Sequence, residues 1–171
     1  MRVGIMGGTF DPIHIAHLIL AEEARERLEL SYVVFVPTGE PWLKREKPRT
    51  SPDVRLQMVE AAVASNPFFR VSDIEVKRRG PTYTTDTLKS LQDDLGPQHE
   101  LFFLLGMDSL AELPQWHEPG RFVDICTPVA FQRPGAPQTG IDSAIKAAPL
   151  LRRKLVLLDA TAKKAAFLHH I

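Results

Sequence analysis

Short runs of apolar residues alternate along this chain with longer stretches in which apolar residues recur at helical spacing. The short runs predict strands over residues 2–6, 32–36, 68–74, 100–105, 127–132 and 155–158. The run from Tyr32 to Val36 is apolar without interruption, which is typical of a strand buried on both faces of a parallel sheet. The pattern therefore predicts a mostly parallel sheet of five or six strands.

Helical patterns fill most of the intervals between these strands. They predict a helix over residues 15–30, a poor helix over residues 141–153 that is broken near Pro149, and helices that begin near residues 52 and 85. Ser51 is the expected cap of the second helix, and Thr84 or Thr85 is the expected cap of the third. Strands that alternate with amphipathic helices indicate an α/β fold with a doubly wound sheet, and we assign residues 1–171 to one domain.

Composition narrows the class of protein. The chain has 171 residues, enough for a hydrophobic core, and 21 basic residues balance 21 acidic ones. Zero net charge argues against a dedicated nucleic-acid binder, although a small anionic substrate needs only a local positive pocket. The single cysteine, Cys126, excludes an internal disulfide and a cysteine-based metal site. No secretory leader and no membrane-spanning apolar run is apparent, so we expect a cytoplasmic protein.

Residues 7–17, G-G-T-F-D-P-I-H-I-A-H, join the first predicted strand to the first predicted helix. Gly7 and Gly8 let the backbone turn tightly and approach a ligand without a Cβ in the way. The N-terminus of the helix offers unpaired N–H groups and a positive dipole end to anions. His14 and His17 fall on one face of its first turn, where imidazoles can donate to phosphate oxygens during phosphoryl or nucleotidyl transfer.

The residues of this turn match a known family. Neither the dinucleotide fingerprint G-x-G-x-x-G nor the Walker pattern G-x-x-x-x-G-K occurs in the chain. The string G-G-T-F-D-P-I-H-x-x-H instead resembles the nucleotidyltransferase superfamily with the H-x-G-H motif, and within it the bacterial nicotinate-nucleotide adenylyltransferases. Ala16 departs from the motif, which has glycine at that place. The resemblance implies a Rossmann-like nucleotidyltransferase fold.

An ATP site is implied by the same resemblance. His14, His17 and Lys44 are its implied catalytic residues, and Lys44 lies in the proline-rich loop of residues 37–52. The residues implied for ATP binding are these three together with Gly7, Gly8, Thr9, Phe10, Gly106, Asp108 and Arg133. Mg²⁺ is implied as an ion bound through the ATP phosphates, because no carboxylate cluster marks a metal site of the protein itself.

A mononucleotide site is implied by two further matches, Y-T-T-D-T-L at residues 83–88 and G-M-D-S followed by W-H within residues 106–117. The resemblance implies that the backbone near Thr85 binds the nicotinate carboxylate, at a helix N-terminus that suits an anion. It also implies that Trp116 stacks on the pyridine ring, that Asp108 contacts ribose, and that His117 contributes its backbone N–H. The alternative interpretation is that residues 83–88 are a plain helix cap that binds no ligand and that Trp116 belongs to the core or to an interface.

Two other parts of the chain bear on this resemblance. Arg55 matches an arginine usual in the family, and we interpret it as a partner in a local structural salt bridge. The resemblance covers about residues 2–160, after which the family has Ile-Ser-Ser-Thr-x-x-Arg on the ATP phosphates. This chain reads T-A-K-K-A-A-F-L-H-H-I there, so its last part is atypical or truncated and its catalytic competence is open.

The expected substrates are ATP and nicotinate mononucleotide, and the expected products are deamido-NAD and pyrophosphate. The phosphate of the mononucleotide would attack the α-phosphorus of ATP in line, so that positioning and charge stabilisation replace a protein nucleophile. Three alternatives stay open: nicotinamide mononucleotide as acceptor, another phosphorylated acceptor, and a nucleotide-binding homologue with weak or no catalysis. We expect no nucleic-acid or membrane partner, and a homo-oligomer stays open.

Overall fold

A computed structural model describes residues 1–41, 49–132, 135, 138 and 140–159 of the chain. Its main sheet contains six parallel strands. They are β1 (Arg2–Gly8), β2 (Tyr32–Pro37), β3 (Phe69–Val71), β4 (Glu100–Gly106), β5 (Thr127–Gln132) and β6 (Val156–Asp159). Glu40–Pro41 and Pro81–Thr82 form a separate short parallel ladder. The predicted parallel α/β sheet is confirmed.

Eight α-helices lie within the described residues. They are α1 (Ile15–Arg27), α2 (Pro52–Val63), α3 (Ile74–Lys77), α4 (Thr84–Leu95), α5 (Met107–Ala111), α6 (Pro119–Ile125), α7 (Ile141–Ala147) and α8 (Leu151–Lys154). A short 3₁₀ turn, Leu113–Gln115, follows α5. None of the helices in the described part of the chain has the length and apolar character needed to cross a membrane.

The strand order determines at which point of the sheet a ligand-binding crevice can form. The strands lie in the order β3-β2-β1-β4-β5-β6, so the chain winds outward in one direction from β1 and then in the other from β4. Met6 of β1 lies beside Leu104 of β4, and the two strands end together. Such a reversal leaves a crevice beyond the carboxyl ends of the two central strands, where open α/β sheets bind their ligands.

Both faces of the sheet are buried, as the uninterrupted apolar strands predict. Alternate residues of a strand point to opposite faces, and in β1 Val3 and Ile5 belong to one core cluster whereas Met6 belongs to the other. Helices α4 to α8 contribute to the first cluster. Helices α1 and α2 contribute to the second cluster, through Ala21 and Val59 among others. This two-sided packing is what makes the sheet doubly wound.

The strand predicted over residues 68–74 is too long. The structure ends β3 at Val71 and begins α3 at Ile74. The Ser72 hydroxyl accepts the Ile74 N–H at 3.4 Å, and Lys77 pairs with Asp73 one turn earlier, at 2.6 Å. These local polar contacts favour a helical turn over an extended strand.

Helix ends are partly as predicted. Ser51 does cap α2, since its hydroxyl accepts the Val54 N–H at 3.4 Å. The prediction that Thr84 or Thr85 caps α4 is wrong, because Tyr83 occupies that place and makes no side-chain cap. Helix α1 ends at Arg27 rather than residue 30, and Glu29 adopts a positive φ of 52° that a helix cannot continue.

Candidate functional site

A cleft of about 380 Å³ lies over the carboxyl ends of β1 and β4. Its walls come from the turn after β1, the start of α1, the residues after β2, the first turn of α4 and the segment after α5. The polar and aromatic residues that line it are Thr9, His17, Thr38, Glu75, Thr82, Thr84, Thr87, Phe103, Ser109, Glu112, Trp116, His117 and Phe131. The strand reversal and the cleft therefore coincide.

The turn after β1 forms one end of the cleft. Gly7 and Gly8, which are the last residues of β1, and Thr9, which follows them, line the cleft. All three are among the residues implied for ATP binding. A Cβ on Gly8 would press against the ring of Phe10 at 3.1 Å, so the turn has little room for a side chain there. Phe10 lies outside the cleft lining: it is 3% exposed and its ring packs edge-on against His17 at 5.0 Å. Phe10 thus supports the histidine from the core.

His17 is held in one protonation state. The backbone N–H of His14 donates to His17 Nδ1 at 3.2 Å, which leaves the ring proton on Nε2. Burial, and then the neighbouring imidazole of His14, lower the pKa of His17 to about 4. His17 is therefore a neutral hydrogen-bond donor on the wall of the cleft. His14 is exposed and lies outside the lining, with its ring stacked on that of His17 at 3.9 Å.

Helix α4 and the 116–117 segment form the other end of the cleft. Thr85 is 1% exposed, and its hydroxyl donates to the carbonyl oxygen of His117 at 3.2 Å. His117 lines the cleft and stacks on Tyr83 with 4.4 Å between ring centroids. Trp116 is half-buried, with edge contacts to Phe122 on one side and the cleft on the other. The two segments implied for the mononucleotide are thus joined directly to each other.

The end of β4 and the residues that follow it form another part of the cleft wall. Gly106 lines the cleft. Asp108 lies in the first turn of α5, is exposed, and is outside the cleft lining. Ser109 and Glu112, which the sequence analysis did not single out, line the cleft instead. Ser109 lies in α5, which begins immediately at the end of β4, and Glu112 follows the last residue of that helix.

Arg55 has a structural role, but the salt bridge expected for it is not its main contact. Its guanidinium donates to three carbonyl oxygens, those of Thr9 at 2.7 Å, Thr50 at 3.0 Å and Gly39 at 3.2 Å. The carboxylate of Asp11 accepts a hydrogen bond from the Thr50 N–H at 3.0 Å. The bonds from Thr50 hold the pKa of Asp11 below its usual value.

Glu75 was also missed by the sequence analysis. It is buried at the start of α3, lines the cleft, and accepts the Thr87 hydroxyl at 2.7 Å. Burial raises the pKa of this carboxyl group. In the sequence it stands within D-I-E-V-K-R-R, which looks like a solvated charged segment, so no local signal identifies it.

Several expected phosphate contacts fall outside the described residues. These are Lys44, Arg133 and the stretch from residue 160 onward. Among the described lining residues, the ionisable side chains are two histidines and two glutamates, with no lysine or arginine. No group of three or more histidine, cysteine or carboxylate side chains within the described ranges is arranged to hold a metal ion.

A doubly wound parallel sheet with a glycine turn and helix N-termini at its strand reversal defines a class, the α/β proteins that bind nucleotides. Residues 5–164 match a family model described as Cytidylyltransferase-like. A protein of Dehalococcoides mccartyi named "Probable nicotinate-nucleotide adenylyltransferase" is 46% identical over 159 residues, which are 93% of this chain and 78% of that protein. The chain belongs to the nicotinate-nucleotide adenylyltransferases of the cytidylyltransferase-like family.

Other similar proteins agree with this placement. A protein of the same name from Roseiflexus is 43% identical over 157 residues, which are 92% of this chain and 77% of that protein. The fold is similar to that of a Plasmodium falciparum nicotinic acid mononucleotide adenylyltransferase complexed with NaAD. That comparison has a TM-score of 0.73 and 22% identity, and it covers 93% of this chain and 75% of the other.

Proposed function

We propose that this chain transfers the adenylyl group of ATP to nicotinate mononucleotide, with release of pyrophosphate and formation of deamido-NAD. The observation that carries the proposal is the single cleft that joins the glycine turn and His17 at one end to α4 and Trp116 at the other. The names of the relatives support the same reaction, and the Plasmodium protein with this fold is complexed with NaAD.

The reaction needs positioning more than it needs a protein nucleophile. A phosphate oxygen of the mononucleotide forms a bond to the α-phosphorus of ATP, while the bond from that phosphorus to the bridging oxygen breaks and pyrophosphate leaves. Attacking and leaving oxygens lie roughly in line, and negative charge spreads over the oxygens of the transferred group. A site that holds both nucleotides end to end therefore supplies most of the rate enhancement.

His17 is the side chain best placed to stabilise that charge. His17 lines the cleft together with Gly8 and Thr9, and the bond from the His14 N–H to Nδ1 leaves the ring proton on Nε2. A neutral imidazole donor needs no proton uptake before each turnover. Removing one such donor typically costs about a hundredfold to a thousandfold in kcat.

The opposite end of the cleft suits a nicotinate ring. Thr84 lines the cleft at the first residue of α4, where free N–H groups and the helix dipole favour a carboxylate. Trp116 adds an aromatic side chain for the pyridine ring. A nicotinamide has no negative charge to place at the helix, so we expect the acid to be preferred over the amide.

Mg²⁺ would be held chiefly by the substrate. The described lining offers two separate glutamates and nitrogen ligands, whereas Mg²⁺ prefers several oxygens in an octahedron. ATP phosphate oxygens meet that preference, and the ion bound to them would neutralise part of their charge.

The test is an assay of pyrophosphate release with ATP and nicotinate mononucleotide, together with chromatographic detection of deamido-NAD. We expect turnover with the acid and at least tenfold lower kcat/KM with nicotinamide mononucleotide. Calorimetry with each nucleotide alone separates binding from catalysis. Binding of both nucleotides without turnover would show that the chain is a nucleotide-binding homologue and not an enzyme. Turnover only with a different phosphorylated acceptor would show that nicotinate mononucleotide is not the substrate.

A further inference from the structure

One peptide at the rim of the cleft is held between two buried charged side chains. The carbonyl oxygen of Gly39 accepts a hydrogen bond from Arg55 Nη2 at 3.2 Å. On its other side, Gly39 packs against Glu75, and its backbone N–H partly offsets the rise that burial causes in the pKa of that carboxyl group. Gly39 follows Thr38, which lines the cleft, and a Cβ on Gly39 would collide with the backbone carbonyl of Glu75. This close approach requires glycine at the position.

Arg55 connects this peptide to the phosphate end of the cleft. Its side chain is 1% exposed, and Nη1 donates to the carbonyl oxygen of Thr9 at 2.7 Å. Thr9 belongs to the glycine turn and lines the cleft. A guanidinium has its donors in a rigid planar fork, so the bonds to Thr9 and Gly39 fix the distance between the two segments. Lysine has no such fork.

Glu75 connects the same peptide to the mononucleotide end. Its Oε1 accepts the Thr87 hydroxyl at 2.7 Å, and that hydroxyl oxygen in turn accepts Arg78 Nη1 at 3.0 Å. Thr87 lies near the start of α4 and lines the cleft. The contacts therefore run from the glycine turn through Arg55, Gly39 and Glu75 to α4.

We propose that Arg55 and Glu75 are positioning residues that act together through the Gly39 peptide to set the separation between the two ends of the cleft. The inference rests on the proposed function, in which the two nucleotides must meet in line. Arg55 Nη2 donates to the Gly39 carbonyl oxygen, and the Glu75 backbone lies so close to the Gly39 Cα that a Cβ there would collide with it. The two residues therefore hold one peptide from both sides. A misplacement of about 1 Å between reacting groups can cost a hundredfold in rate.

The structure favours geometry over direct contact for these residues. The guanidinium of Arg55 already donates hydrogen bonds to three carbonyl oxygens, including that of Thr50. Glu75 lines the cleft, but its Oε1 already accepts the Thr87 hydroxyl. Ligands that occupy only one end should therefore be bound almost normally by variants of either residue, whereas a ligand that spans both ends should not.

The experiment measures binding of three ligands by calorimetry: ATP alone, nicotinate mononucleotide alone, and deamido-NAD, which spans both ends. The variants are Arg55→Lys, Glu75→Gln and the double variant. We expect each single variant to weaken deamido-NAD at least tenfold and to change the affinity of either single nucleotide less than threefold. Because both residues act on one peptide, the double variant should be no more than threefold weaker than the worse single variant.

A matched control is Glu23→Gln, which alters another buried carboxylate, paired with Arg27 on α1. It should lower the melting temperature without changing any of the three affinities. Thr87→Val keeps the side-chain shape but removes the bond to Glu75. If a charge variant does not fold, Thr87→Val provides the same test, with an expected loss of at least threefold for deamido-NAD only.

The outcomes separate this inference from the proposed function. Equal weakening of all three ligands would overturn the positioning role, as would a double-variant loss equal to the product of the single losses. Binding of deamido-NAD by the unaltered chain without turnover would overturn the proposed function alone, and the affinity pattern would still decide the inference. Failure of the unaltered chain to bind any of the three ligands would overturn both.

Discussion

Replacing His17 with glutamine and with asparagine tests whether its Nε2–H is the group that acts on the reacting phosphate. Glutamine places an amide nitrogen near the position of Nε2, whereas asparagine reaches only the position of Nδ1. We expect His17→Asn and His17→Ala to lower kcat about a hundredfold or more, in line with removal of a donor to developing charge. His17→Gln should retain at least tenfold more activity than His17→Asn.

The lowered pKa of His17 determines how strongly activity should depend on pH. With a pKa of about 4, roughly nine-tenths of His17 is neutral at pH 5. With the ordinary value of 6.5, only about 3% would be neutral at that pH. If the neutral form is the active one, lowering the pH from 7 to 5 costs almost no activity through His17. An unshifted histidine would cost about twentyfold to thirtyfold over the same interval.

The assay is kcat/KM for pyrophosphate release between pH 4 and 8, measured for the unaltered chain and for His17→Gln. The ratio of the two profiles cancels the titration of the nucleotide phosphates. We expect that ratio to be flat down to pH 5 and to fall near pH 4. A ratio that falls with a midpoint near 6.5, or one that rises on acidification, would refute a neutral donor, and equal activity of the glutamine and asparagine variants would refute the role of Nε2.

Three further predictions concern the rest of the site and fold. Trp116→Ala should raise the KM for nicotinate mononucleotide at least tenfold and change that for ATP little, because Trp116 lines the cleft beside His117, which is bonded to Thr85 of α4; steady-state kinetics check this, and equal effects on both substrates would contradict it. Ser51→Ala should lower the free energy of unfolding by about 1 kcal/mol with kcat unchanged, since its bond to the Val54 N–H caps α2; urea unfolding measures the loss, and an unchanged midpoint would show that the cap contributes nothing. Removal of Mg²⁺ with EDTA should abolish turnover and leave the melting temperature of the ligand-free chain unchanged, because the ion is held through ATP; a large shift in melting temperature would indicate a metal site in the protein.

His17 also links pH to stability. Its pKa in the folded chain is about 4, below the ordinary value of 6.5. A group with a depressed folded-state pKa contributes stability that is complete above its unfolded value and lost as the pH falls through the folded value. The melting temperature of the unaltered chain should therefore fall more steeply than that of His17→Gln between pH 6.5 and pH 4.

Local pattern was sufficient for most strands of the main sheet and for one helix cap. The run of residues 127–132 became β5 with the predicted ends, and Ser51 capped α2. These features depend on neighbouring residues: an apolar run must be buried on both faces, and a cap needs only the N–H groups of the next turn. Gly7 and Gly8 were expected in the turn, whereas the structure makes them the last two residues of β1, paired with Val36 and Pro37.

Contacts between distant segments were decided only by the tertiary structure. Nothing near Glu75 in the sequence distinguishes it from a solvated acid, and Arg55 reads as a partner for a nearby carboxylate. The fold brings both to Gly39, and it makes Thr85 a partner of His117 rather than a helix cap. The sequence around a residue determines which side of its own helix or strand is apolar. The residue with which its side chain forms a hydrogen bond depends on how the helices and strands pack together. The burial of Glu75 and the lowered pKa of His17 therefore arise only when the whole sheet has assembled.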